Sequence, residues 1–131
     1  MGVAERILVI DDDPDFLDFC RIVLTSRGYD VDTATTAPQG VQAMRSQPPA
    51  LVIADVMMSY VLDGWSISCE MQSDPALRQI PIVMVSAIVS LKDQDLFPAA
   101  ERARIDRFLS KPVDPAELLS VVAELTSAEG G

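Results

Sequence analysis

The sequence predicts an α/β protein, a doubly wound five-stranded parallel sheet with helices on both faces. Three observations carry that reading. Short apolar, largely β-branched runs alternate with longer amphipathic stretches along the 131 residues. The strongest runs are apolar throughout rather than at every second position, as strands covered on both faces must be. The unusual polar residues fall directly after those runs, and doubly wound sheets bind ligands at the carboxyl ends of their strands.

The elements follow in order. Residues 7–10 (ILVI) form the first strand. Asp13 and Pro14 then read as an N-cap and first helical position, and Phe16, Phe19, Cys20 and Val23 recur at helical spacing before Gly28 stops the helix. Residues 29–33 are a weaker, half-exposed strand, and 38–45 a short helix ended before Pro48 and Pro49. Residues 51–54 and 82–85 are compact buried strands, separated by a helix over 64–71 that closes near Asp74 and Pro75. Ser90 and Asp93 open a further helix that Pro98 shortens or kinks. Residues 107–109 make a short last strand. Asp114, Pro115 and Glu117 start a final helix with the spacing of a capping box, its buried face marked by Leu118, Val122 and Leu125. Residues 128–131 read as a frayed tail. The whole is expected to be one domain over 1–131, with a core from about 5 to 125; right-handed crossovers turn the alternation into a sheet wound on both faces.

Composition removes several functions. Ten Lys and Arg against twenty Asp and Glu give a net charge of −10, which argues against nucleic acid and against an anionic membrane surface. It suits a basic partner or a bound cation. The chain has no histidine, so histidine acid–base chemistry and His-dependent triads are excluded. Its two cysteines, Cys20 and Cys69, lie in apolar helical patterns, which speaks against a disulfide framework or a Cys/His zinc site. No apolar run approaches the roughly 18 residues of a membrane span, and no signal-peptide pattern opens the chain, so the expected location is cytoplasmic.

Chemistry gathers at the strand ends. Asp11 and Asp12 follow the first strand, Asp55 the third and Ser86 the fourth, and Lys111 follows the last after one serine. These side chains converge if strands one, three, four and five are neighbours. Three ionised carboxylates held together repel, and one lysine does not offset them. A hard divalent cation does, and Mg²⁺ suits carboxylates with water, carbonyl and phosphate oxygens. Asp55 is then a candidate nucleophile toward phosphorus, with Lys111 stabilising charge on the phosphoryl oxygens and the Ser86 hydroxyl donating to one of them. Taken singly, each residue also has an ordinary reading as a helix cap, a turn residue or a partner of the backbone. Their conjunction at one end of the sheet is what points to a site.

These residues resemble the receiver domains of two-component response regulators. The stretch ILVIDDDPDF with Asp11 and Asp12, LVIADVMM with Asp55, PIVMVSA with Ser86, and DRFLSKPV with Lys111 and Pro112 match that family's motifs in order. The resemblance runs from about residue 5 to 125. It implies a flavodoxin-like sheet of order 2-1-3-4-5 and a signalling switch rather than an enzyme with turnover. A histidine kinase or phosphotransfer protein is the implied donor to Asp55, with Mg²⁺ held by Asp12, Asp55 and the Met57 backbone carbonyl, and by Asp11 mainly through water. Ser86 and Phe108 are the implied switch residues, and an unknown downstream protein or fused output domain the implied reader. Two stretches depart from the family pattern. Ser59 stands where a proline is usual, and Asp63–Gly64 comes one residue late, so the loop after Asp55 is longer by one. The region around Pro98 lacks a usual glycine, and the final helix from Pro115 on carries no Lys or Arg. Two other readings stand beside this one: a receiver-like interaction module not switched by phosphate, and a Mg²⁺ phosphohydrolase. The second of these usually needs an acid where Met57 stands.

Overall fold

The computed structural model describes residues 5–55, 71–86 and 106–130, excluding the side chains of Ala37, Ser86, Phe108 and residues 127–130. The strands are β1 (Arg6–Ile10), β2 (Asp30–Ala34), β3 (Leu51–Asp55), β4 (Ile82–Ser86) and β5 (Arg107–Ser110). The helices are α1 (Pro14–Thr25), α2 (Ala37–Ser46) and α3 (Pro115–Gly130). Residues 71–73 are also helical. The expected loop after Asp55, most of the helix over 64–71, and the helix around Pro98 lie outside the described residues.

All strand pairs are parallel, in the order β2-β1-β3-β4-β5. The order reverses at β1, which pairs with β2 on one side and β3 on the other. A crevice therefore opens outside the ends of β1 and β3.

Pleating explains the continuous apolar runs. Ile7 and Val9 of β1, Leu51 and Ile53 of β3, Val83 and Val85 of β4 and Leu109 of β5 join one cluster with residues of α1 and α3. Leu8, Ile10, Val52, Ala54, Ile82 and Met84 join a second with Met44 of α2, Met71 and Leu77. Alternate side chains thus enter opposite layers, and both layers are dry. Each fully buried Ile, Leu or Val contributes about 1.5–3 kcal/mol. The edge strand β2 is half-exposed, as the sequence suggests, and carries Asp30 and Asp32. Charge on an edge discourages pairing with another chain. The Arg6 guanidinium ties β1 to β2 through Asp32 and also donates to the Gln47 carbonyl.

The helix starts are chemical. Asp13 Oδ1 accepts from Asp15 N at 3.0 Å, with Pro14 at the first helical position, as expected. The Asp114 carboxylate accepts from Glu117 N at 3.1 Å. The start of α2 uses a box the sequence reading passes over: Thr36 Oγ1 accepts from Gln39 N at 3.2 Å, and Gln39 Oε1 accepts from Thr35 N at 3.0 Å. Gly28 follows α1 at φ +88°, a conformation that a Cβ would strain.

Two expectations need correction. The inner face of α1 is Phe16, Leu17, Cys20 and Leu24, whereas Phe19 and Val23 are only partly buried. The helix packs across the sheet with its stripe rotated toward Leu17 and Leu24. The final helix continues to Gly130, so residues 128–130 are helical rather than frayed. Thr126, 4% exposed, donates from Oγ1 to the Val122 carbonyl at 2.8 Å and is accommodated inside that last stretch.

Gly40 lets α2 sit close to β1. A Cβ there would lie 2.3 Å from Ile10 Cδ1 and 2.9 Å from Cγ1, and Ile10 is fully buried. Gly40→Ala gains helix propensity of about 1 kcal/mol but suffers overpacking of about 2 kcal/mol, a net loss of about 1 kcal/mol in urea unfolding. Combined with Ile10→Val, which removes Cδ1, the pair loses less than the sum of the two single changes.

Asp74 ties α2 to the segment after it. Its Oδ1 accepts from Ala76 N at 3.0 Å and its Oδ2 from Arg45 Nε at 3.2 Å. The Ala76 amide first, and Arg45 next, hold its pKa below the ordinary 3.8. A depressed folded-state pKa stabilises above the unfolded value, and that contribution is lost as pH falls through the folded value. Asp74→Asn is therefore less stable than the wild type at pH 7, and the gap closes as unfolding is measured progressively below pH 3.8.

Candidate acidic site at the strand ends

Asp11 follows β1 directly, and its backbone N donates to the carbonyl of Ala34, the last residue of β2, at 3.0 Å, which extends the ladder one residue past β1. The side chain is fully buried. Its Oδ1 accepts from Asp13 N at 2.9 Å and its Oδ2 from Lys111 Nζ at 2.7 Å. Asp55 is the last residue of β3, beside Val85 of β4, and is 6% exposed. Its Oδ2 accepts from the same Nζ at 3.2 Å. Asp12 is exposed, yet one carboxylate oxygen from each of Asp11, Asp12 and Asp55 lies within 4.8 Å of the others.

Lys111 reaches this point because β5 ends at Ser110 and the chain turns there toward α3. The Lys111–Pro112 peptide is cis. The ammonium is mostly covered, with 19% of the side chain exposed, and sits 4.5 Å from the centroid of the Phe16 ring. Burial alone would lower its pKa; the hydrogen bond and charge of Asp11, followed by those of Asp55, outweigh burial and raise it. Behind the cleft, burial chiefly, and the negative charge of Asp11 secondarily, push the Cys20 thiol up to about 12, with Lys111 opposing. Cys20 is therefore an inert core thiol.

The structure brings together Asp11, Asp12, Asp55 and Lys111 as the sequence predicts. Ser86 ends β4, in register with Ser110 of β5, so its backbone stands at the same edge. Phe108 lies on β5 opposite Met84. The side chains of Ser86 and Phe108, and all of Met57, are outside the described residues. Sequence reasoning places Phe16 only in the core and misses its contact with Lys111. The available signal is an aromatic residue in the first helical turn after the acidic pair.

Three carboxylates facing one ammonium leave excess negative charge in a cleft of low dielectric. All the donors are hard oxygens, so the set fits a hard divalent cation and suits neither a soft metal nor an anion. Among the described residues, no helix is long and apolar enough to cross a membrane.

Comparison with known proteins agrees with this geometry. An uncharacterized 14.6 kDa protein of Leptolyngbya boryana is 32% identical over 90% of this chain and 87% of its own length. Response regulator PleD of Caulobacter vibrioides is 32% identical over 95% of this chain, which spans 26% of PleD. The receiver domain of sensor histidine kinase PA1611 from Pseudomonas aeruginosa PAO1 was solved with a magnesium ion coordinated in its active-site cleft. It superposes with a TM-score of 0.83 at 25% identity, covering 95% of this chain and 99% of that one. Residues 7–123 match the family model described as the response regulator receiver domain. The chain accordingly belongs to the response regulator receiver family, the phosphoaccepting switches of two-component systems.

Proposed function

We propose that this chain is one receiver domain whose phosphoacceptor is Asp55. The observation that carries the reading is the single Lys111 ammonium donating to both Asp11 and Asp55 within a cluster of three carboxylates. A histidine kinase or phosphotransfer protein is the donor in this reading. An Asp55 carboxylate oxygen forms a bond to phosphorus as the bond from phosphorus to the donor's imidazole nitrogen breaks. The electron pair stays on the imidazole, which takes a proton from solvent. Lys111 is already within reach of an Asp55 oxygen and would pair with the phosphoryl oxygens as their charge develops. Asp55 is nearly buried, which limits the water available to hydrolyse the acyl phosphate; slow self-dephosphorylation follows.

Asp12 and Asp55, with Asp11 through water and the Met57 carbonyl, are the residues assigned to hold Mg²⁺. When bound, the ion offsets the repulsion among the carboxylates and the phosphoryl oxygens. The PA1611 receiver supports this choice, since it holds a magnesium ion in its active-site cleft. We assign Ser86 to donate its hydroxyl to the phosphoryl group and Phe108 to reorient with it. A phosphoryl group adds a charge of about −1.5 to −2 and so biases a two-state surface. The reader is a downstream protein or a fused output domain in the cytoplasm. The acidic composition supports a protein reader over nucleic acid or an anionic membrane.

Incubation with phosphoramidate and Mg²⁺ is expected to add one phosphoryl group, read by intact mass. Asp55→Asn stays unlabelled, and excess chelator abolishes labelling of the wild type. Equal labelling of Asp55→Asn overturns the assignment.

Lys111→Met strands the fully buried Asp11 without its cation, which costs about 3 kcal/mol. Added Mg²⁺ then supplies the missing counter-charge. The rise in melting temperature with Mg²⁺ is expected to be larger for Lys111→Met than for the wild type.

A further inference from the structure

The Phe16 ring belongs to the core and also lies against the cation of the cleft. Asp11 Oδ1 accepts from Asp13 N, Asp13 caps α1, and the Asp13 carbonyl accepts from Phe16 N at 3.1 Å. One short segment therefore delivers both the buried acid and the ring. The ring is 8% exposed and stacks on Phe19, with centroids 6.0 Å apart and planes 28° apart. It is held from the side as well as by its own backbone.

An ammonium has three protons and a four-carbon stem with much rotamer freedom. Here two carboxylates accept from Nζ, at 2.7 Å and 3.2 Å, and the ring centroid lies 4.5 Å away. An aromatic face attracts a cation through its quadrupole, most strongly where water is scarce. It does so without an acceptor atom, so it neutralises no charge and competes with neither Asp55 nor a phosphoryl oxygen for a proton. An aliphatic side chain would fill the space without that attraction. The ammonium would then be free to settle on Asp11, its shorter contact, or to swing toward solvent.

We propose that Phe16 is a positioning residue for the phosphoryl-transfer reaction, its ring face holding the Lys111 ammonium where it reaches Asp55. This rests on Asp55 being the phosphoacceptor.

The test combines a structural readout with a kinetic one. Lys92 and Lys111 are the two lysines of the chain, so Lys111→Met identifies the Lys111 ε-CH₂ resonance. In the wild type that resonance is expected upfield of Lys92 through the ring current of Phe16. Phe16→Tyr retains the shift and Phe16→Leu loses it. Initial phosphoramidate labelling of Asp55 in saturating Mg²⁺ falls about fivefold in Phe16→Leu, the fold-change expected of a cation–π contact of ordinary strength. It stays within about twofold in Phe16→Tyr, which keeps the ring face. On a Lys111→Met background, Phe16→Leu has no further effect. An unshifted Lys111 resonance in the wild type overturns the proposal. So does labelling of Phe16→Leu at the wild-type rate, or an equal loss when Lys111 is absent. A wild type that takes no label overturns the phosphoacceptor reading itself, an outcome distinct from a labelled wild type indifferent to residue 16.

Discussion

The structure turns on one shared cation. Lys111 bonds two acids from different strands, Asp11 after β1 and Asp55 at the end of β3, bridging 100 and 56 residues of chain. A contact of such long range depends on the strand order, because β5 is separated from β1 by both β3 and β4. The pairings place the ends of these strands at one edge, and the ammonium then makes two nearly buried carboxylates tolerable there. Without it, Asp11 would be an ion with no exposed surface, a penalty comparable to losing a large side chain from the core.

That arrangement also limits what the cleft can accept. Lys111 offsets one of three negative charges, and all three acids stand within 4.8 Å by one oxygen each. A site designed only for stability would balance its charges or replace the cluster with apolar side chains. Excess carboxylate at the reversal point of a doubly wound sheet is intelligible when something cationic joins it. An anion entering such a cleft alone would add to the repulsion already there.

Much of this is legible in the sequence because the two-sided burial of the central strands leaves an unmistakable record. ILVI, LVIA and IVMV are apolar at every position, and each run stops at an acid or a hydroxyl residue. Asp13–Pro14 and Asp114–Pro115 announce their helices by local chemistry that needs no tertiary partner. The rotation of α1 is illegible because Phe16, Leu17, Phe19, Cys20, Val23 and Leu24 offer two overlapping apolar stripes, and only the sheet chooses between them. The box at Thr36 and Gln39 is hidden by Pro38, which draws the helix start one residue too late. The helical state of residues 128–130 runs against two terminal glycines that argue for fraying. The Phe16–Lys111 contact joins residues 95 positions apart in sequence, and no periodicity encodes it.

Asp11 and Asp12 are adjacent in sequence but unequal in chemistry, and the difference follows from how deeply each is buried. Both oxygens of Asp11 carry a bond, one from the Asp13 amide and one from Lys111, and its side chain meets no solvent. An ion taking Asp11 directly would compete with the ammonium for Oδ2, like charge against like charge. A carboxylate oxygen retains a second lone pair, so a bridging water can be accepted without displacing either bond. Asp12 stands exposed at the rim of the cluster, within 4.8 Å of the other two acids by one oxygen each. The acid that anchors the lysine is thereby shut away from solvent, whereas the neighbouring acid keeps its carboxylate exposed. Two consecutive aspartates let one short loop offer a buried carboxylate to the lysine and an exposed one to solvent.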